Sequence, residues 1–302
     1  MTADGKHAPE TISIREALLQ ASSLLARHGA EDGRADAERL LMHLFGWDRS
    51  RLLLDWHEPF PAELREAWRA MLERRAAGEP VQYITGEQEF LGLSFEVNAD
   101  VLIPRPETEL LVEAVIRLAG GLWGDAPFTA ADIGTGSGAI AVSLAKRMPA
   151  CRVLACDLSE RALATAGRNA ARHGVAERVE LLRGDLLLPL AEAGRHADAL
   201  VSNPPYVESG DIPRLARHVR DFEPRMALDG GPDGLDFYRR IIGQIGLLPE
   251  VPRLVAFETG MGQAGEVAAM LRRAGHWDDI AVIRDYAGIE RHVTATARGG
   301  RD

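Results

Sequence analysis

Cysteine is scarce in this chain, since Cys151 and Cys156 are the only two among 302 residues. Both fall in a short apolar segment that we predict to be a buried strand, so they cannot build a disulfide framework or a four-cysteine zinc site. The nine histidines are scattered and include no His-Glu-x-x-His motif. The sequence therefore gives no support to a metal-dependent mechanism, and no metal site is predicted.

Long apolar runs are also lacking. The longest, such as Leu186–Leu190, are short and broken by charged residues, whereas a membrane-spanning helix needs about 20 consecutive apolar residues. The segment Met1–Glu10 is polar and has no hydrophobic stretch typical of a signal peptide. We therefore expect a soluble protein that has no membrane partner and stays in the cytoplasm.

Positively charged residues are outnumbered, because the chain has 35 Lys and Arg residues but 45 Asp and Glu residues. Its formal net charge is -10. Broad, sequence-independent binding to nucleic acid depends on Lys and Arg that neutralise phosphates, so direct nucleic-acid binding is not expected. A local basic patch stays compatible with this composition. Hydrophobic residues make up 46% of the chain, which is enough for a sizeable core and excludes intrinsic disorder.

The first part of the chain, residues 1–79, is predicted to contain only helices. Between Ser13 and Gly29, apolar residues recur at helical spacing, with Ser13 as the N-cap and Gly29 as the end of the helix. Similar patterns cover Ala35–Trp47 and Pro61–Ala77. We interpret residues 1–79 as a small helical domain, either a bundle packed on itself or, in the sharper hypothesis, a substrate-recognition domain.

Residues 80–106 are predicted to form a β-hairpin linker, because Gln88–Phe90 and Leu93–Val97 are rich in β-forming residues and flank Gly92. From residue 107 to residue 302, helical and extended segments alternate, which is typical of an α/β fold with a mostly parallel sheet. Ligands of such sheets bind at the carboxyl ends of the strands. The predicted strands are Thr129–Ile133, Arg152–Cys156, Val179–Leu182, Ala199–Ser202, Arg253–Phe257, Ile280–Arg284 and His292–Ala297.

A glycine-rich loop follows the first strand of this alternating region. It reads Asp132-Ile133-Gly134-Thr135-Gly136-Ser137-Gly138 and leads into a predicted helix, whose free N–H groups are available to a ligand. Two ligands compete for it. Gly134-x-Gly136-x-x-Ala139 matches the dinucleotide fingerprint, while Gly134-x-Gly136-x-Gly138 after Asp132 resembles motif I of class I S-adenosylmethionine-dependent methyltransferases. A purely structural glycine turn is a third interpretation.

Acidic residues follow the next two strands. Asp157 ends the segment Leu154–Asp157, where a carboxylate can accept hydrogen bonds from both ribose hydroxyls of either candidate ligand. Its alternative role is to cap the helix that begins near Ser159, although Ser159 itself suits that role. Asp185 follows the third strand and is placed by position near the adenine amino group, but Gly184-Asp185 is also ordinary turn chemistry.

The segment Ser202-Asn203-Pro204-Pro205-Tyr206 follows the fourth predicted strand. Its two prolines have no backbone N–H, so the turn is stiff and its carbonyl oxygens are free to accept hydrogen bonds from a ligand. Asn203 adds a side-chain amide, and Tyr206 adds an aromatic face. This combination favours a site that holds a planar amino group in front of a methyl donor. A rigid loop after an edge strand explains the prolines but not the whole segment.

Asn203–Tyr206 after a glycine loop resembles the amino-methyltransferase group, whose substrates are adenine, cytosine or protein glutamine. Three further segments, Pro80–Gly86, Val101–Glu109 and Asp229–Leu235, are similar to the release factor glutamine methyltransferase family of the PrmC/HemK type. The resemblance covers nearly all of the chain from Pro80 onward. It implies a class I, Rossmann-like α/β methyltransferase with a mostly parallel seven-stranded sheet and a small N-terminal helical domain joined by the hairpin linker.

This resemblance implies methyl transfer from S-adenosylmethionine, with S-adenosylhomocysteine as product and no metal. The expected acceptor is the side-chain amide nitrogen N5 of the glutamine in the Gly-Gly-Gln motif of class-1 peptide chain release factors, which act in translation termination. It also implies that the segment containing Arg105 and Glu107 closes over the methionine end of the cofactor. Leu186 stands where the family often has an aromatic residue, so an aliphatic contact to the adenine is expected. We expect a monomer.

The predicted site follows from these motifs. We predict that the Asn203 side-chain oxygen and the Pro204 carbonyl oxygen each accept one N–H of the glutamine amide, while Tyr206 covers the substrate. The predicted catalytic residues are Asn203, Pro204, Pro205 and Tyr206. The predicted cofactor-binding residues are Arg105, Glu107, Asp132, Gly134, Thr135, Gly136, Ser137, Gly138, Asp157, Asp185, Leu186 and Asn203.

Alternative functions remain open at this point. An adenine-N6 methyltransferase acting on DNA or RNA would hold a flipped base in the same pocket, but the acidic composition disfavours it. The ribosomal-protein glutamine methyltransferase shares Asn203–Tyr206, whereas Pro106–Glu109 favours the release-factor branch. A non-catalytic S-adenosylmethionine-binding protein would be expected to lose part of Asn203–Tyr206. Nothing in that segment suits the hydride transfer of a dinucleotide oxidoreductase.

Overall fold

The computed structural model describes residues 12–297, so the polar segment Met1–Glu10 lies outside the described residues. The helices are α1 (Ile14–Arg27), α2 (Gly33–Phe45), α3 (Arg49–Leu54), α4 (Arg65–Ala76), α5 (Val81–Thr85), α6 (Pro106–Trp123), α7 (Ala139–Arg147), α8 (Glu160–Arg172), α9 (Leu188–Glu192), α10 (Arg217–Arg220), α11 (Asp236–Gln244) and α12 (Ala264–Ala274). The strands are β1 (Glu87–Phe90), β2 (Leu93–Glu96), β3 (Phe128–Ile133), β4 (Cys151–Asp157), β5 (Val179–Arg183), β6 (Ala199–Ser202), β7 (Leu254–Glu258), β8 (Asp279–Arg284) and β9 (Glu290–Thr296). Within residues 12–297, no helix combines the length and the apolar character that a membrane span requires.

The chain divides into two compact units. The first extends to Gly86 and includes Arg217–Phe222, while the second contains Glu87–Ala216 and the chain from Glu223 onward. The division comes later than the predicted end of the helical domain at residue 79, because Val81–Thr85 forms a helix whose apolar residues belong to the core of the first unit. The role of residues 1–79 in substrate recognition stays a prediction.

The first unit is helical, as the sequence predicted. Helix α1 begins with a capping box, in which Ser13 Oγ accepts a hydrogen bond from Glu16 N and the Glu16 carboxylate accepts one from Ser13 N. The helix ends before Gly29, which has a φ of 85°. One face of α1 is buried against α2 and α4. The large buried side chains of this core include Leu18, Leu25, Leu40, Leu41, Phe60 and Trp68. Helix α3 was not predicted.

The second unit is built on a seven-stranded sheet with the order β5-β4-β3-β6-β7-β9-β8. Strands β3 to β7 pair with one another in parallel, whereas β9 is antiparallel to both β7 and β8. All residues of β6 and β7 are buried, because helices cover both faces of a parallel sheet. The predicted α/β fold with a mostly parallel seven-stranded sheet is confirmed.

The topology of this sheet creates a crevice of the kind in which parallel sheets bind ligands. From β3 the chain adds β4 and β5 on one side, then returns to place β6 and β7 on the other side. The strand order therefore reverses between β3 and β6, and a crevice opens there at the carboxyl ends of the strands. The glycine loop (Gly134–Gly138) follows β3, and the Asn203 segment (Asn203–Tyr206) follows β6. Both motifs consequently meet at this crevice, and the Asn203 segment follows an internal strand rather than an edge strand.

The predicted hairpin is present as β1 and β2, but it belongs to the second unit and does not form a free linker. Phe90 and Phe95 are completely buried in the core beneath α6 and α7, with their rings 6.0 Å apart. The backbone of Glu96 is bound at its N–H and its carbonyl by the Asn169 side chain of α8, at 2.8 and 3.0 Å. The hairpin is therefore fixed to the same helix that supports the glycine loop.

Candidate active site

A cavity of about 270 Å³ lies at the carboxyl ends of β3, β4, β5 and β6. Many predicted site residues line it: Gly134, Gly136, Asp157, Asp185, Leu186, Asn203, Pro204 and Pro205. Lining residues that the sequence argument did not assign to the site include Asp100, Val101, Leu102, Leu158, Met226, Phe237 and Arg240. The other predicted site residues, Arg105, Glu107, Asp132, Thr135, Ser137, Gly138 and Tyr206, are not among the lining residues of this cavity.

Asp132 supports the glycine loop by hydrogen bonds inside the protein. It is completely buried, and its Oδ2 accepts hydrogen bonds from Thr135 Oγ1 at 2.6 Å and from Ala141 N at 3.1 Å. Its Oδ1 has no hydrogen-bond partner among the described residues. Burial raises the pKa of Asp132 to about 7. The contacts of Asp132 in this structure therefore hold the two ends of the loop together.

The end of the glycine loop is packed against α8. Gly138 has a φ of 80°, which favours glycine, and a Cβ at this position would lie 3.0 Å from Ala166 Cβ. The carbonyl oxygen of Ser137 accepts a hydrogen bond from Asn169 Nδ2 at 2.8 Å, inside the protein. Ser137 and Gly138 therefore serve the shape of the loop, while Gly134 and Gly136 present backbone to the cavity.

Asp157 joins β4 to the glycine loop. Its Oδ2 accepts a hydrogen bond from Gly136 N at 2.9 Å, and its Oδ1 accepts one from Ser159 N at 2.8 Å. Ser159 caps α8, since its side chain accepts a hydrogen bond from Ala162 N. A carboxylate has about four acceptor positions, so Asp157 retains acceptors for a ligand in the cavity that it lines. Burial raises its pKa above the ordinary value, against the effect of these N–H donors.

The lining of the cavity combines Leu186 with an aromatic residue from a distant part of the chain. Leu186 is buried and has a φ of 55°, a conformation uncommon for a branched residue. Phe237 of α11 lines the same cavity, and the Arg240 guanidinium lies 5.6 Å from the centre of its ring. Arg240 also forms an ion pair with Asp185. An aromatic side chain is therefore available although residue 186 is aliphatic, and no motif in the sequence indicated it.

Asn203 is held by two residues that the sequence argument did not assign to the site. Its Nδ2 donates a hydrogen bond to Thr108 Oγ1 at 3.1 Å, and Thr108 Oγ1 donates one to Glu258 Oε2 at 2.6 Å. Thr108 and Glu258 are both buried, and burial raises the pKa of Glu258 to about 7. A signal for Glu258 was present, because it ends β7 just as Asp157 ends β4.

The Asn203 segment is supported from its other side by glycines and one glutamine. Gly230 N donates a hydrogen bond to Val207 O at 2.8 Å, and Gln263 Nε2 donates one to Tyr206 O at 2.9 Å. Gly230 approaches the backbone so closely that a Cβ there would lie 2.8 Å from Pro205 O. The Tyr206 ring packs against the apolar cluster of β7 and α11, and burial raises its pKa to about 12. Its covering of the substrate stays a prediction.

The segment with Arg105 and Glu107 is anchored by a buried acid that the sequence argument missed. Arg105 Nη2 lies 2.5 Å from Glu223 Oε1, and the Glu223 side chain has no exposed surface. Glu223 Oε2 also accepts a hydrogen bond from Ile103 N at 3.2 Å. Arg105 is therefore engaged in an internal ion pair, and the closure of this segment over a cofactor stays a prediction.

We expect Gly234→Ala to lower kcat for the reaction of this site by about tenfold or more, since small displacements of reacting groups have large effects on rate. A Cβ at Gly234 would overlap the Tyr206 carbonyl oxygen and the Gln263 amide, so the Asn203 segment must move. Gly262→Ala is the matched control, because Gly262 also has a positive φ but faces open space. Both variants carry the strain of an alanine at a positive φ. Thermal unfolding measures the loss of stability from this strain in each variant, so the difference in kcat between them reports the displacement of the Asn203 segment. Equal kcat values for the two variants would contradict this prediction.

The chain matches two family models over separate parts of its length and known relatives over nearly its whole length. The PrmC N-terminal domain matches residues 16–86, and the methyltransferase small domain matches residues 108–219. The release factor glutamine methyltransferase of Moorella thermoacetica is 46% identical over 95% of this chain and 99% of its own length. That of Geobacter sulfurreducens is 43% identical over 97% of this chain and 98% of its own length. The Bacillus subtilis protein of the same name is 39% identical, with 94% and 97% covered.

The chain belongs to the release factor glutamine methyltransferase family. The resemblance seen in the sequence is thereby confirmed, and the chain is a methyltransferase. The glycine loop and the Asn203 segment fall within the region that matches the methyltransferase small domain.

Solved structures of other proteins share the fold of this chain at low sequence identity. The hMettl16 catalytic domain in complex with a MAT2A 3′UTR hairpin aligns with a TM-score of 0.55 at 16% identity, covering 76% of this chain and 82% of that chain. A human methyltransferase 10 domain containing protein aligns with a TM-score of 0.50 at 19% identity, with 68% and 90% covered. These likenesses support the fold alone.

Proposed function

We propose that this protein transfers a methyl group from S-adenosylmethionine to the amide nitrogen N5 of the glutamine in the Gly-Gly-Gln motif of class-1 peptide chain release factors. The names of its relatives support this substrate. One structural observation carries the proposal. Asn203 and Pro204 line the same cavity as Gly134, Gly136 and Asp157, so acceptors for an amide meet a loop suited to a nucleoside ligand.

The residues of the cavity fit S-adenosylmethionine, which supplies a methyl group activated by a positively charged sulfur. Asp157 offers carboxylate oxygens for ribose hydroxyls, and Asp100 adds a second acidic group. Apolar side chains of Leu102, Leu186 and Phe237 provide walls for a flat base. Gly134 and Gly136 let a ligand approach the backbone without obstruction, since a Cβ at either position would meet no atom within 4 Å.

The chemistry assigned to the protein is orientation and charge stabilisation. A primary amide nitrogen is a poor nucleophile because its lone pair is delocalised into the carbonyl group. Asn203 Oδ1 and the Pro204 carbonyl oxygen accept the two N–H groups of the glutamine and turn its nitrogen toward the methyl donor. The same oxygens stabilise positive charge that develops on the nitrogen during transfer, and the methylated nitrogen then releases one proton to solvent to give a neutral amide. Pro205 has no N–H, so it leaves no competing donor at this turn.

A labelling experiment tests the proposed function. The full-length protein is incubated with S-adenosylmethionine carrying a labelled methyl group and with a purified class-1 release factor. We expect label on the release factor and none when its Gly-Gly-Gln glutamine is replaced by alanine. An adenine-containing oligonucleotide and a ribosomal-protein fraction serve as competing acceptors. Label that appears on either competitor and not on the release factor would contradict the proposal.

A further inference from the structure

The Asn203 side chain belongs to a buried relay of hydrogen bonds that joins three elements of the second unit. Asn203 follows β6, Thr108 lies in the first turn of α6, and Glu258 ends β7. The Asn203 Nδ2 to Thr108 Oγ1 distance is 3.1 Å, and the Thr108 Oγ1 to Glu258 Oε2 distance is 2.6 Å. Thr108 has 4% of its surface exposed and Glu258 has 1%, so water does not replace either partner.

The direction of this relay follows from the number of hydrogen atoms available. An ionised carboxylate only accepts hydrogen bonds, so the single hydroxyl hydrogen of Thr108 must go to Glu258. The Thr108 oxygen is then an acceptor toward Asn203, and the amide must present its NH₂ group to it. Asn203 Oδ1 is consequently left for the cavity, where an acceptor is required.

Protonation of Glu258 permits the opposite arrangement. A carboxylic acid donates its hydrogen to the Thr108 oxygen, which frees the Thr108 hydrogen to point toward Asn203. The amide then turns its oxygen toward Thr108 and its NH₂ group toward the cavity. An NH₂ group cannot accept the N–H of a substrate amide, so this arrangement does not hold the glutamine.

We propose that Thr108 and Glu258 are positioning residues that determine which end of the Asn203 amide faces the cavity, and that only ionised Glu258 supports methyl transfer. This inference rests on the function proposed above and adds to it the residues that orient the glutamine-binding side chain. Neither residue lines the cavity, so both act through Asn203.

The groups packed around Glu258 place its titration in the neutral range. Burial is the largest influence and raises the pKa of Glu258 to about 7, with Glu107 adding to the rise. Side-chain hydrogen bonds from Thr108 and Asn203 and the positive charge of Arg291 lower that pKa. The remaining titratable neighbours are His292, opposite Glu258 on β9, together with Tyr206 and Tyr238. Burial lowers the pKa of His292 to about 4 and raises those of both tyrosines, so Glu258 is the member of this group that changes charge near neutrality.

Two substitutions at Thr108 provide a matched test at a pH above 8. Thr108→Val has nearly the same shape but lacks the hydroxyl, and we expect it to lower kcat by about tenfold because Asn203 loses one of the two groups, Thr108 Oγ1 and the Glu258 carboxylate, that hold its NH₂ group. Thr108→Ser retains the hydroxyl and should stay within about threefold of the wild-type kcat. Calorimetric affinity for S-adenosylmethionine should be unchanged in both. Wild-type kcat in Thr108→Val, or equal losses in the two variants, would overturn the relay.

The dependence of kcat on pH distinguishes a role of Glu258 in orienting Asn203 from a purely structural role of Glu258. In the wild type, kcat should fall about tenfold per pH unit below pH 7, as Glu258 takes up its proton. Glu258→Gln cannot titrate, so its kcat should be lower and nearly independent of pH over the same range. An acid limb that persists in Glu258→Gln would assign the titration to another group, such as Asp132, and overturn the proposal.

An experiment on the free protein keeps this inference separate from the proposed function. The side-chain amide resonances of Asn203 are followed by ¹⁵N NMR between pH 5 and pH 9, without cofactor or release factor. We expect a transition with a midpoint near 7 that is absent in Glu258→Gln. If the transition is seen but the wild type does not methylate release factors, only the proposed function fails. If methylation is seen without the transition, only the relay fails.

Discussion

Replacing Asn203 by alanine is expected to lower kcat for glutamine methylation by about 100- to 1,000-fold, comparable to the loss of one preorganised hydrogen-bonding group in other enzymes. The alanine removes the acceptor that orients the substrate amide. It also leaves Thr108 without its Asn203 donor and exposes the buried relay to the cavity. Because the interaction is strongest when charge develops on the nitrogen, most of the effect should fall on kcat rather than on KM.

The control for Asn203→Ala is its affinity for the cofactor. The glycine loop and Asp157 hold the same hydrogen bonds in the variant, so calorimetric affinity for S-adenosylmethionine should change by no more than about threefold. Thermal unfolding shows whether the fold is retained. Undiminished turnover would refute the role of Asn203, while a parallel loss of turnover and cofactor affinity would indicate a general disturbance of the cavity.

Replacing Asp157 by alanine is expected to weaken the binding of S-adenosylmethionine by about 10- to 100-fold, because hydrogen bonds to a charged group contribute about 1.5–3 kcal/mol. The carboxylate also holds Gly136 N and Ser159 N, so its loss loosens the glycine loop in addition to removing a ribose acceptor. The measurement is a calorimetric titration of the free protein with the cofactor.

Asp185→Ala is the matched control for Asp157→Ala. Asp185 lines the same cavity, but it is half-exposed and forms an ion pair with the exposed Arg240. A ligand contact to this partly exposed carboxylate, already paired with Arg240, is weakened by solvent as exposed ion pairs are, so we expect a loss of affinity of no more than about fivefold, smaller than for Asp157→Ala. Equal losses for the two variants would mean that Asp157 is not the principal acceptor for the cofactor.

The strands of the second unit were predictable because each is a short, apolar run of β-forming residues. Such runs remain recognisable wherever both faces of a sheet are covered, and the predicted Ala199–Ser202 is β6 without any change of boundary. The hairpin was also predictable, with one end of each strand displaced by one residue, but its place in the fold was not. Phe90 and Phe95 read equally well as parts of a linker, and only their burial beneath α6 and α7 places them in the core.

Some residues that line the cavity were also predictable from the sequence, and others were not. Gly134, Gly136, Asp157 and Asn203 lie at the ends of strands or shortly after them. A parallel sheet brings the carboxyl ends of its strands to one edge, so sequence position alone predicts their meeting. Phe237 lies on a helix, where rotation by one residue turns a side chain by about 100°. Its direction toward the cavity depends on how α11 packs, which no local pattern of residues specifies.

Local residue patterns and the order of strands along the chain were enough to predict the family, the α/β sheet and the motifs that face the cavity. The partners of those motifs became apparent only in the folded protein. Thr108 and Glu258 lie 150 residues apart in the chain and meet through a hydroxyl and a carboxylate inside the protein. Such a contact arises from the packing of α6 against β7, and its effect on Asn203 exists only because burial excludes the water that would otherwise satisfy each group.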